Sequence, residues 1–174
     1  MTKQELSKIV LDNGKKVKFT FIDGDSYYRF KPYVQCYGLC FNNKGEILIG
    51  RNSYAAEGRW LLPGGRAEKG ETPVRTLKRE LLEEADIKIG KFKLLGGQRV
   101  DFLEEKKKPV FQLRFAAMIK EIMKQTPDPD NGQMWELKFV NPEEVNYYLQ
   151  WGDILEHLVK KAKEWHDKEI QKLR

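Results

Sequence analysis

The sequence predicts an α/β layered fold built on a mixed sheet, and three observations point to it. Alternating apolar and polar runs of strand length stand on both sides of one helical run near the middle of the chain. A second amphipathic helix follows towards the C-terminal end. No repeat, low-complexity tract or Pro/Ser-rich linker interrupts the 174 residues. Residues 1–174 therefore read as a single domain, with 1–31 an N-terminal β extension and 32–174 the core.

Each element has its own signal. KIVLDNGKKVKFTF (8–21) opens a β-meander, and Asn13-Gly14 supplies the favoured type I′ hairpin turn. Val17, Phe19 and Phe21 alternate with Lys16, Lys18 and Thr20. So small a sheet cannot bury its apolar face alone, so it packs on the core or builds a homodimer interface. Residues 22–25 turn the chain towards Tyr27–Phe30, and a strand follows at about 33–41. A turn at 42–45, a short strand at 46–50 and a brief one at 60–62 lead to Pro63-Gly64-Gly65.

The helix at 73–85 takes Thr72 as N-cap and Pro73 at its first position. Val74, Leu77, Leu81 and Ala85 form its core-facing stripe. Strands at 91–103 and 110–120 are joined by a Lys-rich loop and Pro109, and Phe111, Leu113, Phe115, Ala117 and Ile119 share one face of the second. Residues 125–132 are a turn-rich loop and 135–140 a further strand. Ile154, Leu155, Leu158, Ala162 and Trp165 mark the last helix.

Whole-chain properties exclude several function classes. The N-terminus lacks the apolar stretch of a signal peptide, and no run of about 18 apolar residues offers a membrane span. A cytoplasmic protein is expected. Cys36 and Cys40 lie about 13 Å apart along one strand, too far to pair, and no zinc pattern surrounds them. The net charge of +6 favours an anionic ligand. Its basic residues are scattered, the tightest cluster being Lys106–Lys108, which fits a small nucleotide better than a long nucleic acid.

The helix at 73–85 carries one feature that packing does not explain. Glu80, Glu83 and Glu84 share one side of it, away from the core stripe. Each like-charge neighbour costs roughly 0.2–0.5 kcal/mol. Pairing Arg79 with Glu83 and Lys88 with Glu84 would leave an ordinary solvated face. Yet Arg before Glu is the poorer orientation, and Glu80 has no basic residue at i±4. A bound cation would offset the repulsion, and hard oxygen donors select Mg²⁺ or Mn²⁺. The glycines at 64, 65 and 70 allow a tight loop from which a backbone carbonyl joins the donors. Such a site, with a carboxylate as general base, suits hydrolysis of a phosphoanhydride.

The same segment resembles the Nudix box, G-x5-E-x7-R-E-U-x-E-E-x-G-U with U apolar. Gly65, Glu71, Arg79, Glu80, Leu81, Glu83, Glu84 and Ile87 all fall in place, and Asp86 stands where the box has glycine. Six fixed matches, each at about one residue in fifteen, would arise by chance roughly once in ten million start points. WLLPGG, NNKGEILIGR and KFVNPEEV resemble the usual Nudix frame, whereas residues 1–31 match no part of it.

The resemblance implies an α/β/α sandwich with a mixed central sheet. It also implies divalent-metal-dependent cleavage of a nucleoside diphosphate linked to another group. By that resemblance Glu80 and Glu84 hold Mg²⁺ or Mn²⁺ with the Gly64 carbonyl, and Glu83 binds metal or acts as base. Glu83 and Glu80 are the catalytic candidates, while Gly65, Glu71 and Arg79 support the loop. Many members add a downstream carboxylate. Here Gln133 occupies that position, leaving Asp128, Asp130 or Glu136 as substitutes, and Glu136 reads equally as a solvent-facing strand residue.

Familiar substrate markers of the family are missing. Arg51, Trp60 and Phe102 are candidate substrate contacts, with Tyr37 a further aromatic, and core packing is the alternative for each ring. Two function classes remain: a hydrolase of a nucleoside triphosphate, nucleotide sugar, ADP-ribose-like diphosphate or capped RNA end, and a non-catalytic module that senses a nucleotide or binds RNA. Asp86 is expected to adopt positive φ at the helix end, with a structural role only.

Overall fold

A computed structural model describes residues 6–54 and 56–174. The first five residues of the expected N-terminal extension lie outside these. The chain runs β1 (Leu6–Asp12), β2 (Lys15–Asp23), β3 (Tyr33–Phe41), β4 (Ile47–Arg51), β5 (Gly64–Arg66), α1 (Pro73–Ala85), β6 (Ile87–Phe102), β7 (Val110–Ile122), β8 (Glu136–Val140), α2 (Val145–Leu149) and α3 (Asp153–Lys172). Among the described residues, all eight strands join one sheet in the order β1-β2-β6-β7-β3-β4-β8, with β5 also pairing β3. The β3–β7 pair is parallel and the others antiparallel, so the sheet is mixed.

The two faces of the sheet take different helices. Leu77, Leu81 and Ala85 of α1 pack with Phe111, Leu113 and Phe115 on one face. Ile154, Leu155, Leu158 and Ala162 of α3 pack with Phe21, Leu39, Leu95 and Ala116 on the other. This is the α/β/α arrangement implied by the sequence. It follows from period-two alternation in β7, which sends odd-numbered residues to one layer and even-numbered ones to the other.

The N-terminal hairpin turns on Asn13 (φ 50°) and Gly14 (φ 78°), both left-handed as a type I′ turn requires. Its second strand pairs with β6 from Val17↔Phe102 to Asp23↔Gly96. At the end of β2, Asp23 accepts a bond from Lys161 Nζ at 2.6 Å and lies 2.8 Å from His157 Nε2, tying the hairpin to α3. Cys36 and Cys40 are both buried and free.

Four local expectations change. Residues 60–62 contribute only the single bridge Gly50↔Leu61. Gly64–Arg66, read as loop, is a short strand held against Gln35–Tyr37. Strand β6 begins at Ile87, because Asp86 in the left-handed conformation (φ 50°, ψ 40°) reverses the chain at once. Helix α2 was not expected, being too short to show a helical period.

Candidate active site

The site is built around α1 and the loop leading into it. Thr72 caps the helix by accepting the Arg75 N–H at 3.3 Å, with Pro73 opening the first turn. Two glycines beside it make close approaches. A Cβ on Gly64 would lie 2.1 Å from the Cys36 carbonyl, and one on Gly65 would lie 2.6 Å from the Glu80 carboxyl. Position 64 must therefore be glycine for β5 to lie against β3, whereas a side chain at 65 would push the Glu80 carboxyl out of place.

Arg79 is the hub of the loop. Its Nε donates to Glu71 at 2.7 Å and its Nη2 to the same carboxylate at 3.0 Å, a bidentate pair. Nη2 also donates to the Arg66 carbonyl at 2.7 Å, and Nη1 reaches Glu80 at 3.0 Å and Glu83 at 3.2 Å. Thr76 adds a hydroxyl bond to Glu71 at 2.7 Å, and the Tyr33 hydroxyl donates to the Glu71 carbonyl. These contacts, Arg79 foremost, hold the Glu71 carboxyl down at about 2. A search for partners at i±4 alone misses this arrangement, because Arg79 spends its best bonds on the preceding loop and meets Glu80 as its neighbour in sequence.

The acidic face is more buried than its sequence pattern suggests. Glu80 is 6% exposed. Burial pushes its carboxyl up to about 7 against the pull of Arg79. Burial also raises Glu83. Glu84 accepts the Gly64 N–H at 3.1 Å and is pushed up to about 9, again by burial. At Glu80 and Glu83 burial outweighs the Arg79 guanidinium, so the charged forms are disfavoured.

Asp130 completes the cluster. One carboxylate oxygen from each of Glu80, Glu83 and Asp130 lies within 4.8 Å of the others. Glu84 stands outside that triplet, bonded to Gly64. The other downstream candidates are engaged elsewhere. Buried Asp128 accepts the Trp135 indole N–H at 2.8 Å and the Asp130 N–H at 2.9 Å, and Glu136 takes Arg51 Nε at 2.8 Å. Gln133 donates its backbone N–H to Asn131 Oδ1 at 2.9 Å. All the donors are hard oxygens, a set that fits a divalent ion such as Mg²⁺ or Mn²⁺.

The candidate substrate contacts divide into two groups. Arg51 stacks over Trp60 at 4.5 Å, and Trp60 meets Tyr148 edge-on at 5.9 Å. Phe102 instead lines a cleft of about 1070 Å³, together with Phe19, Gln35, Gln112, Arg66 and Lys69. Residues of β1, β2, β3, β6 and β7 and of the loop supporting α1 line it. Behind the cleft, Arg114 is 4% exposed, with its guanidinium 4.8 Å over the Tyr37 ring and one bond of 3.0 Å to Gln112 Oε1. Burial lowers its guanidinium to about 10. Arg114 escaped the sequence reading because β7 was judged by its apolar face. A cation at an alternate position of such a strand is the signal that marks it.

The NUDIX domain family model matches residues 32–167. An RNA pyrophosphohydrolase from Bartonella quintana is 29% identical over 132 residues, covering 63% of this chain and 76% of that protein. The crystal structure of a Bacillus subtilis pyrophosphohydrolase superposes with a TM-score of 0.67 at 20% identity, over 86% of this chain and 92% of its own. A MutT protein from Methanosarcina mazei gives 0.54 at 22% identity, over 78% and 96%.

Proposed function

The chain belongs to the Nudix family, and from that premise we propose that it is a metal-dependent pyrophosphohydrolase. It cleaves a phosphoanhydride bond in a nucleoside diphosphate linked to a further group. The convergence of Glu80, Glu83 and Asp130 beside Glu84 carries this reading. A non-catalytic sensor has no need of all of these carboxylates.

Glu80, Glu83 and Asp130 would hold Mg²⁺ or Mn²⁺, with Glu84 and the Gly64 carbonyl as further donors. Bound there, the ion supplies Lewis-acid polarisation of a phosphoryl oxygen and neutralises developing charge. Glu83 is the least buried glutamate of the three on α1 and acts as proton acceptor for the attacking water, Glu80 being the alternative. Water oxygen bonds to phosphorus, the bridging P–O bond breaks, and the leaving phosphate carries the bond's electron pair away. Arg79 and Glu71 hold the loop to the helix throughout. Arg66 and Lys69 line the cleft and would meet the phosphates, and Phe102 and Phe19 would offer stacking surface for the base. Arg51 and Trp60 lie at the far end of β4 as a second contact. Residues 6–31 belong to the same domain as the matched core, since β2 pairs along β6.

The names of the related proteins favour one finer substrate, the 5′-triphosphate end of an RNA with its first nucleotide in the cleft. A panel of nucleoside triphosphates, nucleotide sugars, ADP-ribose and 5′-triphosphorylated RNA, assayed with Mg²⁺ for phosphate, pyrophosphate and nucleotide release, tests both readings. Turnover of mononucleotides at moderate salt supports the small-substrate reading. Turnover that is steeply salt-dependent and far faster on the RNA selects the second. No release from any substrate overturns the enzyme reading, and full activity in excess EDTA overturns its metal dependence.

A further inference from the structure

Asp86 occupies the position at which the Nudix box carries glycine, and its backbone is left-handed. Glycine meets that demand without strain, so the turn itself does not call for a carboxylate. The side chain is nonetheless only 7% exposed, and both its oxygens are engaged. Thr126 donates its backbone N–H to Oδ2 at 2.7 Å and its hydroxyl to Oδ1 at 2.8 Å. The Asp86 carbonyl accepts the Met123 N–H at 2.9 Å. Three bonds thus run from the end of α1 to one short stretch after β7.

That stretch is the stem of the loop that carries Asp130. Beyond Thr126 the loop is organised from within. Asp128 accepts Trp135 Nε1 at 2.8 Å, the Asp130 N–H at 2.9 Å and, through its carbonyl, the Gly132 N–H at 2.7 Å. Its own N–H donates to the Gln133 carbonyl at 2.8 Å. The loop is therefore a preformed unit fixed at its entry by Asp86, and Asp130 projects from it to Glu83 and Glu80, about one and two turns back along α1.

We propose that Asp86 is a positioning residue for the metal site: it clamps the Thr126 stem so that Asp130 is delivered to Glu80 and Glu83. The inference rests on reading Glu80, Glu83 and Asp130 as the ion-binding cluster. Partners that orient a metal ligand typically change affinity by about 10–100-fold when removed.

Mn²⁺ binding to the full chain, followed by the loss of the free-ion electron paramagnetic signal, provides the test. Asp86→Gly keeps the turn and deletes the clamp, and should weaken Mn²⁺ affinity by about tenfold or more. Asp86→Asn keeps an acceptor for the Thr126 N–H and should restore affinity to within about threefold of the parent, whereas Thr126→Val should fall between the two. Combining Asp86→Gly with Asp130→Asn should weaken binding no further than Asp130→Asn alone, because the clamp acts through Asp130. Unchanged affinity in Asp86→Gly, or fully additive losses in the double variant, overturns the inference while leaving the ion site standing. If Asp130→Asn itself binds Mn²⁺ like the parent, the reading of the cluster falls and the clamp with it.

Discussion

Replacing Glu84 by Gln should stabilise the protein when no divalent ion is present and remove much of the stabilisation that an ion confers. Glu84 is raised from 4.5 to about 9 by burial, with Glu80 and the two loop aspartates adding to the rise. A carboxyl with a raised folded value keeps its proton longer in the folded than in the unfolded chain, so stability falls as pH rises from about 4.5 towards about 9. Each pH unit across that window costs about 1.36 kcal/mol, or about 3 kcal/mol by pH 7. Glu80, itself raised to about 7, shares the effect, which leaves about 2 kcal/mol for Glu84. Glutamine keeps an oxygen for the Gly64 N–H and cannot ionise. In EDTA at pH 7 the variant should therefore melt roughly 4–8 °C higher than the parent. Its stability should also depend less on pH between 5 and 8.5, read by urea denaturation at each pH. Excess Mg²⁺ should raise the melting temperature of the parent by more than that of the variant. Parallel pH profiles, or a variant less stable than the parent in EDTA at pH 7, would refute the reasoning.

Three other outcomes are expected. Glu83→Gln should lower kcat by at least about 10²-fold with the fold intact, as loss of a general base does, checked by turnover on the best panel substrate and by circular dichroism. Cys36 and Cys40, both buried with their thiols pushed up to about 12, should resist a thiol-reactive dye at pH 8 and react fully once the chain is unfolded. Deleting residues 1–30 should give an insoluble chain or one melting far below the parent. The deletion exposes β6 and removes buried Val17, Phe21 and Phe30, each contributing roughly 1.5–3 kcal/mol. An unchanged melting temperature and oligomeric state would show that the hairpin is dispensable.

Much of the fold was legible because its signals are local. The turn at Asn13-Gly14, the cap at Thr72-Pro73, the odd-numbered face of β7 and the stripe of α3 each follow from spacing along the chain. Gly64–Arg66 was not legible as a strand, because three residues show no period and the pairing partner, Gln35–Tyr37, lies far away in sequence.

The sequence by itself determined the family, the acidic helix and the chemistry its oxygen donors favour, because the box sets these within one continuous stretch. It could not decide which carboxylates meet. Glu84 turns to the Gly64 amide, Glu136 to Arg51 and Asp128 to Trp135, while Asp130 comes to Glu80 and Glu83. Asp130 reaches the helix on a loop more than forty residues beyond it, and Glu84 and Glu136 find their partners on β5 and β4, segments that precede them. Spacing along a helix fixes neighbours at i±3 and i±4. Burial, and the raised carboxyls that come with it, exist only once distant segments have closed over the site.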